Sequence, residues 1–463
     1  MASIRFLGAA GTVTGSRHLV TTPGGSVLVD AGLFQGAKEL RLRNWAPFPV
    51  PAASLHAVVL THAHIDHAGA LPQLVRDGFR GPVYCTPATR DLAHLLLPDA
   101  ARLQEEEARF ANRRGYSKHA PNARPLYTEE DAMRALRLLV PVPYGVRREL
   151  RPGVAATLHR AGHILGSAFV ELEIAERSGA TRRVLFSGDL GRYGAPILPD
   201  PGAAPATDEL LVECTYGDRE HQGSPRQELK EVVLSSVQRG GALIVPAFAV
   251  GRTQEVLFEL RALEATGEIP TLPTFVDSPM AVDATPIHLA HREDHDDEMT
   301  RLIAAGVEPL RPARLTFARA PEQSKAINHV SGPCIIISAS GMATGGRILH
   351  HLERRLPDPR TTVLLVGYQA AGTRGWSLQN GARTLRMHGQ DVPVQARVAV
   401  ISGFSAHADR REMDRWLATL PRPPARTFCV HGEPAALAAT AERLRARGWN
   451  VIVPHHGEEY AIT

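Results

Sequence analysis

The sequence predicts a layered α/β chain of two domains, one interrupting the other. Three observations carry this. Apolar runs of strand length are separated by Gly-rich turns, helical stretches lie between them, and the rhythm changes in mid-chain before reverting near the end. At 463 residues the chain is about three times a ~150-residue domain, enough for two or three cores. Hydrophobic residues at 44% and charged residues at 22% exclude a disordered, collagen-like or fibrous protein.

From Ser3 to about Val212 short strands dominate. Ser26–Asp30 (SVLVD) and Ala57–Leu60 (AVVL) have buried-strand length; Pro87 opens a helix toward Leu97, and Ala101–Arg114 is a second, heavily charged helical stretch. Val154–His159, Phe169–Ile174 and Arg183–Phe186 return to strand. After the Ala-Pro-Gly segment Pro199–Ala206, strands alternate with amphipathic helices. Glu209–Val212, Ala242–Val245, Thr274–Val276, Cys334–Ser338 and Thr362–Val366 read as strands; Pro225–Gln238, Arg252–Leu263 and Arg347–Leu356 read as helices. This is βαβ spacing and predicts a parallel sheet. Past Val394 the first style resumes, with helices at Arg410–Leu417 and Pro434–Arg447 around the strand Thr427–Val430. The expected division is a first domain of residues 1–213 and 401–463, interrupted by an inserted domain of residues 214–400.

Composition narrows the function classes. No apolar run approaches the ~18 residues of a membrane span, and Ser3-Ile4-Arg5-Phe6 enters a strand without a signal-peptide pattern, so a cytoplasmic chain without membrane contact is expected. Cys85, Cys214, Cys334 and Cys429 are scattered with no CxxC pair, which predicts buried free thiols. A net charge of +4 announces no nucleic-acid partner by itself. Only four of the 52 basic residues are lysine, which fits either codon bias or guanidinium forks that hold phosphate.

The strongest local signal is Thr61-His62-Ala63-His64-Ile65-Asp66-His67, directly after an apolar strand. A turn leaving a buried strand can aim His62 and His64 at one metal while Asp66 and His67 face a second. Imidazole and carboxylate without thiolate suit zinc, with manganese or iron as alternatives. Two ions need more donors than one loop supplies. His163, Asp189 and His431 each stand at a strand end beside small residues. His350-His351 and His455-His456 read instead as surface or helix-face histidines, because adjacent residues on a helix do not converge.

The motifs HAHIDH, AGHILGS, FSGDLG and the strand-end Asp30 of LVDAG resemble those of the metallo-β-lactamase fold. Glu213 in VECTYGD, His407 in GFSAHAD and His431 in CVHGE resemble three motifs of its β-CASP branch, the nucleic-acid-processing members. The resemblance runs from Phe6-Leu7-Gly8 to Gly457-Glu458 and implies a metallo-β-lactamase αββα sandwich interrupted by a β-CASP domain, whose mostly parallel sheet is flanked by helices. It also implies two zinc ions per chain, with manganese the alternative. His62, His64 and His163 would hold the first ion; Asp66, His67 and His431 the second; Asp189 would bridge. Asp30 would orient a metal-binding histidine through its other ring nitrogen, and Glu213 with His407 would form a hydrogen-bonded pair whose histidine is the general acid. Asp66 is in addition a candidate acceptor of the water proton.

Read in that light, three loops of the inserted domain become candidate phosphate contacts. Pro246–Thr253 runs into a helix N-terminus, and Ser338–Met342 and Gly367–Gly375 follow predicted strands. Arg252, Thr253, Ser340, Tyr368, Thr373 and Arg374, with Ser405 of GFSAHAD, are the expected RNA-binding residues, Tyr368 by stacking. Arg113, Arg114 and Lys118 form the densest basic patch, read equally as an RNA contact or a solvated face. The chain begins at the catalytic domain and ends soon after His431, which resembles the compact bacterial members and favours endonuclease over processive 5′ exonuclease action. The expectation is therefore a zinc-dependent ribonuclease acting on single-stranded RNA, as a homodimer in keeping with the family. The alternatives are a DNA-acting or small-ester metallohydrolase, and a non-catalytic RNA-binding scaffold.

Overall fold

A computed structural model of the chain describes residues 2–115, 122–176, 179–370 and 372–462. Lys118 of the basic patch lies outside the described residues. The chain divides into two compact units: Met1–Tyr193, Asp200–Glu220 and His407–Thr463 form one, and Gly194–Pro199 and His221–Ala406 form the other.

The first unit contains two seven-stranded sheets. One runs Glu459–Ala461, Ser3–Phe6, His18–Thr22, Gly25–Val29, Leu55–Val59, Val83–Cys85, Leu139–Pro141. The other runs Val451–Ile452, Arg426–Val430, Glu209–Glu213, Thr181–Phe186, Ala168–Ala175, Val154–Arg160, Arg148–Arg151. The two-residue period of a strand decides the layers. Val27 and Val29 point inward, where Val170, Leu172, Val184, Phe186 and Leu211 of the other sheet meet them, and Leu28 points the opposite way. There Leu28, Leu55 and Val58 share a core with Leu71, Leu74, Leu97 and Leu136 of the helices Leu71–Arg76, Pro87–Arg114 and Glu129–Leu136. On the outer face of the second sheet Leu185, Leu210 and Val212 share a core with Met413, Trp416, Leu437 and Leu444 of the helices Arg410–Leu417 and Pro434–Ala446. Helix, sheet, sheet, helix is the αββα sandwich.

The helix Pro87–Arg114 corrects the sequence reading, which divides it in two. Thr86 caps it by accepting from the Thr89 amide at 3.1 Å, Gly115 ends it in the left-handed region at φ +68, and Pro98 lies inside. Proline removes one helical hydrogen bond. Burial of Leu92, Ala93, Leu96, Leu97 and Ala101 on both sides of it outweighs that loss.

The second unit holds a six-stranded sheet ordered Leu315–Phe317, Thr274–Val276, Cys334–Ser338, Ala242–Pro246, Thr362–Leu365, Arg397–Val400, and every adjacent pair is parallel. Val245 and Ile337 pack on Val256, Leu257 and Leu260 on one face; Ile244, Val363 and Leu365 pack on Ile348 and Leu352 on the other. Cover on both faces explains why these strands read as unbroken apolar runs. The strands Leu315–Phe317 and Arg397–Val400, the hairpin Thr384–Met387 with Gln390–Pro393, and the helices Glu129–Leu136, Pro279–Ala290, Asp297–Ala304 and Pro321–Ile327 escape the sequence reading, being short or weakly patterned. All four cysteines are buried and free. Among the described residues no helix is long and apolar enough to cross a membrane.

Of the surface and helix-face readings of His351, the structure takes the second. His351 is not on the surface: it is 1% exposed, with Nε2 at 2.6 Å from a carboxylate oxygen of the fully buried Asp277. Arg347 and Ser324 also donate to that carboxylate, so a buried charge network selects the inward position.

Candidate metal centre

The donors lie where strands of the first unit end. Asp30 follows Gly25–Val29, His62, His64, Asp66 and His67 follow Leu55–Val59, and Asp189 follows Thr181–Phe186. Glu213 closes Glu209–Glu213, and His431 follows Arg426–Val430. His163 sits in the turn between Val154–Arg160 and Ala168–Ala175, its amide held by the Ser167 hydroxyl at 2.9 Å. Close backbone approach places the HxHxDH loop. A Cβ on Gly32 would stand 1.6 Å from the Asp66 carbonyl oxygen, so only glycine fits there.

Two groups of donors result. In the first, His62 Nε2 is 3.0 Å from His64 Nδ1, and His163 Nε2 is 3.3 Å from the same atom. In the second, His67 Nε2 is 3.2 Å from His431 Nε2, and the latter is 3.6 Å from Asp66 Oδ2. Asp189 divides its carboxylate between them. Oδ2 lies 3.6 and 3.5 Å from His62 and His163, and Oδ1 lies 3.2 and 3.4 Å from His67 and His431. Ligands at ~2.0–2.1 Å on a tetrahedral ion stand about 3.3 Å apart. The imidazole nitrogens of both groups already have that spacing, so this donor set fits a pair of borderline divalent cations.

Electrostatics divides the histidines. Burial, reinforced by His67, pushes His62 well below the usual imidazole range. His67 goes the other way: burial lowers it, but Asp189 and Asp30 outweigh burial and hold it well above that range. Its Nδ1 donates to Asp30 Oδ2 at 2.7 Å, which turns Nε2 toward the other donors. Asp30 also accepts from the Thr61 amide at 2.8 Å, from the Thr61 hydroxyl and from Ser16.

Beside this cluster, Glu213 is fully buried and accepts from the amides of Leu190 at 2.7 Å and Thr215 at 3.1 Å. His407 Nδ1 is 3.2 Å from the same carboxylate and 3.9 Å from Asp189 Oδ2. Burial would lower His407, but Glu213 and Asp189 raise it to about 9.

The other candidates fall in the second unit and divide by environment. Arg252 is 7% exposed and its guanidinium pairs with Glu255; Thr253 is 1% exposed and donates to the Phe248 carbonyl. Both are turned inward, a correction to their reading as phosphate contacts: the helix that begins at Arg252 buries its first turn. Arg374 donates to the carbonyls of Arg386, Ala343 and Thr344, and Thr373 caps its helix by accepting from the Trp376 amide. Ser340 shares a hydrogen bond with Thr344, Ser405 is buried, and Tyr368 is 39% exposed. Thr61, Ser16, Ser167 and Thr215, which support the donors, escape the sequence reading; Thr61 and Ser167 stand in the histidine motifs and Thr215 beside Glu213, whereas no motif marks Ser16.

An αββα sandwich with clustered imidazoles and carboxylates at its strand ends defines a metallohydrolase of the metallo-β-lactamase type. Residues 11–215 match the metallo-beta-lactamase superfamily, residues 253–378 the Beta-Casp domain, and residues 391–454 the Zn-dependent metallo-hydrolase RNA specificity domain. The chain is 39% identical to Ribonuclease TTHA0252 of Thermus thermophilus, over 97% of this chain and 98% of that one. It is 32% identical to the transcription termination factor FttA of Methanocaldococcus jannaschii, over 96% of this chain and 68% of that one. A solved protein of unknown function from Enterococcus faecalis shares the fold at 11% identity and a TM-score of 0.54, covering 99% of both chains. The chain belongs to the β-CASP branch of the metallo-β-lactamase superfamily.

Proposed function

We propose that this chain is a ribonuclease that uses two metal ions to hydrolyse phosphodiester bonds of single-stranded RNA, cutting internally. The observation that carries the reading is the pair of donor groups that Asp189 approaches with one oxygen each, next to a hydrogen-bonded Glu213–His407 pair. The name of the Thermus thermophilus relative and the RNA specificity match at 391–454 support RNA as the substrate.

His62, His64 and His163 would hold one zinc ion, and Asp66, His67 and His431 the other, with Asp189 between them and manganese as the alternative metal. When bound, such ions make water nucleophilic at neutral pH and neutralise charge on the transferring phosphoryl group. The side chains supply the rest. Asp30 fixes the His67 ring so that Nε2 serves as donor. Asp66, 21% exposed, can take a proton as well as ligate. With Nδ1 engaged by Glu213, His407 delivers a proton from Nε2 to the leaving oxygen. Ser340, Tyr368, Thr373, Arg374 and Ser405 remain the proposed RNA contacts, with Arg252 and Thr253 shaping their loop from inside. The proposed functional division remains 1–213 with 401–463, and 214–400, beside compact units whose borders fall after Glu220 and Ala406. A homodimer, on family resemblance, and a cytoplasmic location complete the reading.

RNA labelled separately at each end, beside matched single-stranded DNA, tests the proposal. Internal products from RNA are expected. A ladder from one end would replace endonuclease with exonuclease, DNA cutting would revive the DNA-acting alternative, and binding without cleavage by the metal-loaded chain would favour a scaffold.

A further inference from the structure

Among the described residues, one cluster of three His, Cys, Asp or Glu donors lies away from the centre described above: His350, Glu353 and His388 in the second unit. His350 and Glu353 are three apart on the helix Ile348–Arg355 and therefore share a face. His351, turned inward to Asp277, shows that this face is the outer one. His388 comes from the two-residue turn between Thr384–Met387 and Gln390–Pro393.

Two features set the cluster apart from a chance surface pair. His388 stands at φ +47 before Gly389 at φ +84, so a side chain occupies a left-handed turn position that favours asparagine or glycine. There its ring stacks on that of His350, with centroids 4.5 Å apart and planes at 23°, while Nδ1 lies 2.8 Å from Glu353 Oε2. Two imidazoles and a carboxylate thus present donor atoms within 4.8 Å of one another, from two separate elements. Tetrahedral ligands stand about 3.3 Å apart, and rotation of these side chains closes that span.

We propose that His350, Glu353 and His388 form an additional, accessory metal site for a borderline divalent cation such as Zn2+, clipping the hairpin to the helix. Two imidazoles and one carboxylate are the donor chemistry zinc, nickel and copper prefer over magnesium or calcium. The site leaves a coordination position to solvent, so it binds less tightly than the active centre.

The test is calorimetric titration of ZnCl2 into the full chain whose active centre is already filled, after dialysis to remove loosely held metal. One further equivalent is expected to bind. His350→Ala, His388→Ala and Glu353→Gln should each weaken that equivalent by at least about tenfold, leaving active-centre metal and RNA cleavage unchanged. If His388→Ala unsettles the turn, His388→Asn suits the same backbone and serves in its place. Absence of a further equivalent, or its persistence in the variants, overturns the site and reduces the cluster to a hydrogen bond with a stacked ring.

Discussion

Asp30 stands at φ +60, outside the region most residues occupy, and its carboxylate gathers Thr61, Ser16 and His67. Asp30→Asn keeps the shape and loses the charge that orients His67, so metal affinity should fall about 10–100-fold with the fold intact; metal titration of the purified variant reads this directly. His407 makes a different prediction. His407→Ala should slow cleavage by roughly 10²–10⁴-fold and leave the metal content unchanged; loss of metal instead would make it a ligand. At this scale the sequence was informative where chemistry is local, as in the four donors of HAHIDH. It was not for Arg252 and His351, because an arginine or histidine in a string of letters does not say which carboxylate it will meet. Glu255, in the next turn, and Asp277, 74 residues away, decided those two.

Elements show how packing overrides local rules. Pro98 should end a helix, and burial on both sides keeps it going. The helix Pro279–Ala290 carries a titration signature of its own. His288 is 2% exposed, its Nδ1 donates to the Ala284 carbonyl at 2.9 Å, and burial pushes it down to about 4 from 6.5. Between those values the unfolded chain takes up a proton that the native chain refuses. Stability is therefore full above about pH 6.5, falls as pH drops, and by about pH 4 has lost roughly 3 kcal/mol from this group. Denaturant melts at pH 7 and pH 5 should show the decline, and His288→Leu should lessen it, the buried His18, pushed down to about 3, contributing in the same direction. The loop after Leu55–Val59 has a steric counterpart: Gly32→Ala must displace the Asp66 backbone and should weaken metal binding more than it lowers the melting temperature.

For the whole molecule, protein purified without added metal should contain about two zinc per chain, and removal by chelator should abolish cleavage, with restoration on adding zinc or manganese back. Because Asp189 and Asp30 hold a proton on His67, metal must displace it, so metal affinity should rise with pH and binding should release protons. Titrations in two buffers of different ionisation heat measure that release. The sequence by itself determined the α/β class and the parallel character of the second sheet, since strand periodicity is a local property of the chain, and its motifs carried the family resemblance. Only the tertiary structure decided how Asp189 divides its oxygens, which hydroxyls and carboxylates hold each ring, and which arginines and histidines turn inward. Most of those outcomes depend on atoms far apart in the chain, such as those of His67 and His431, and folding alone brings these two within 3.2 Å.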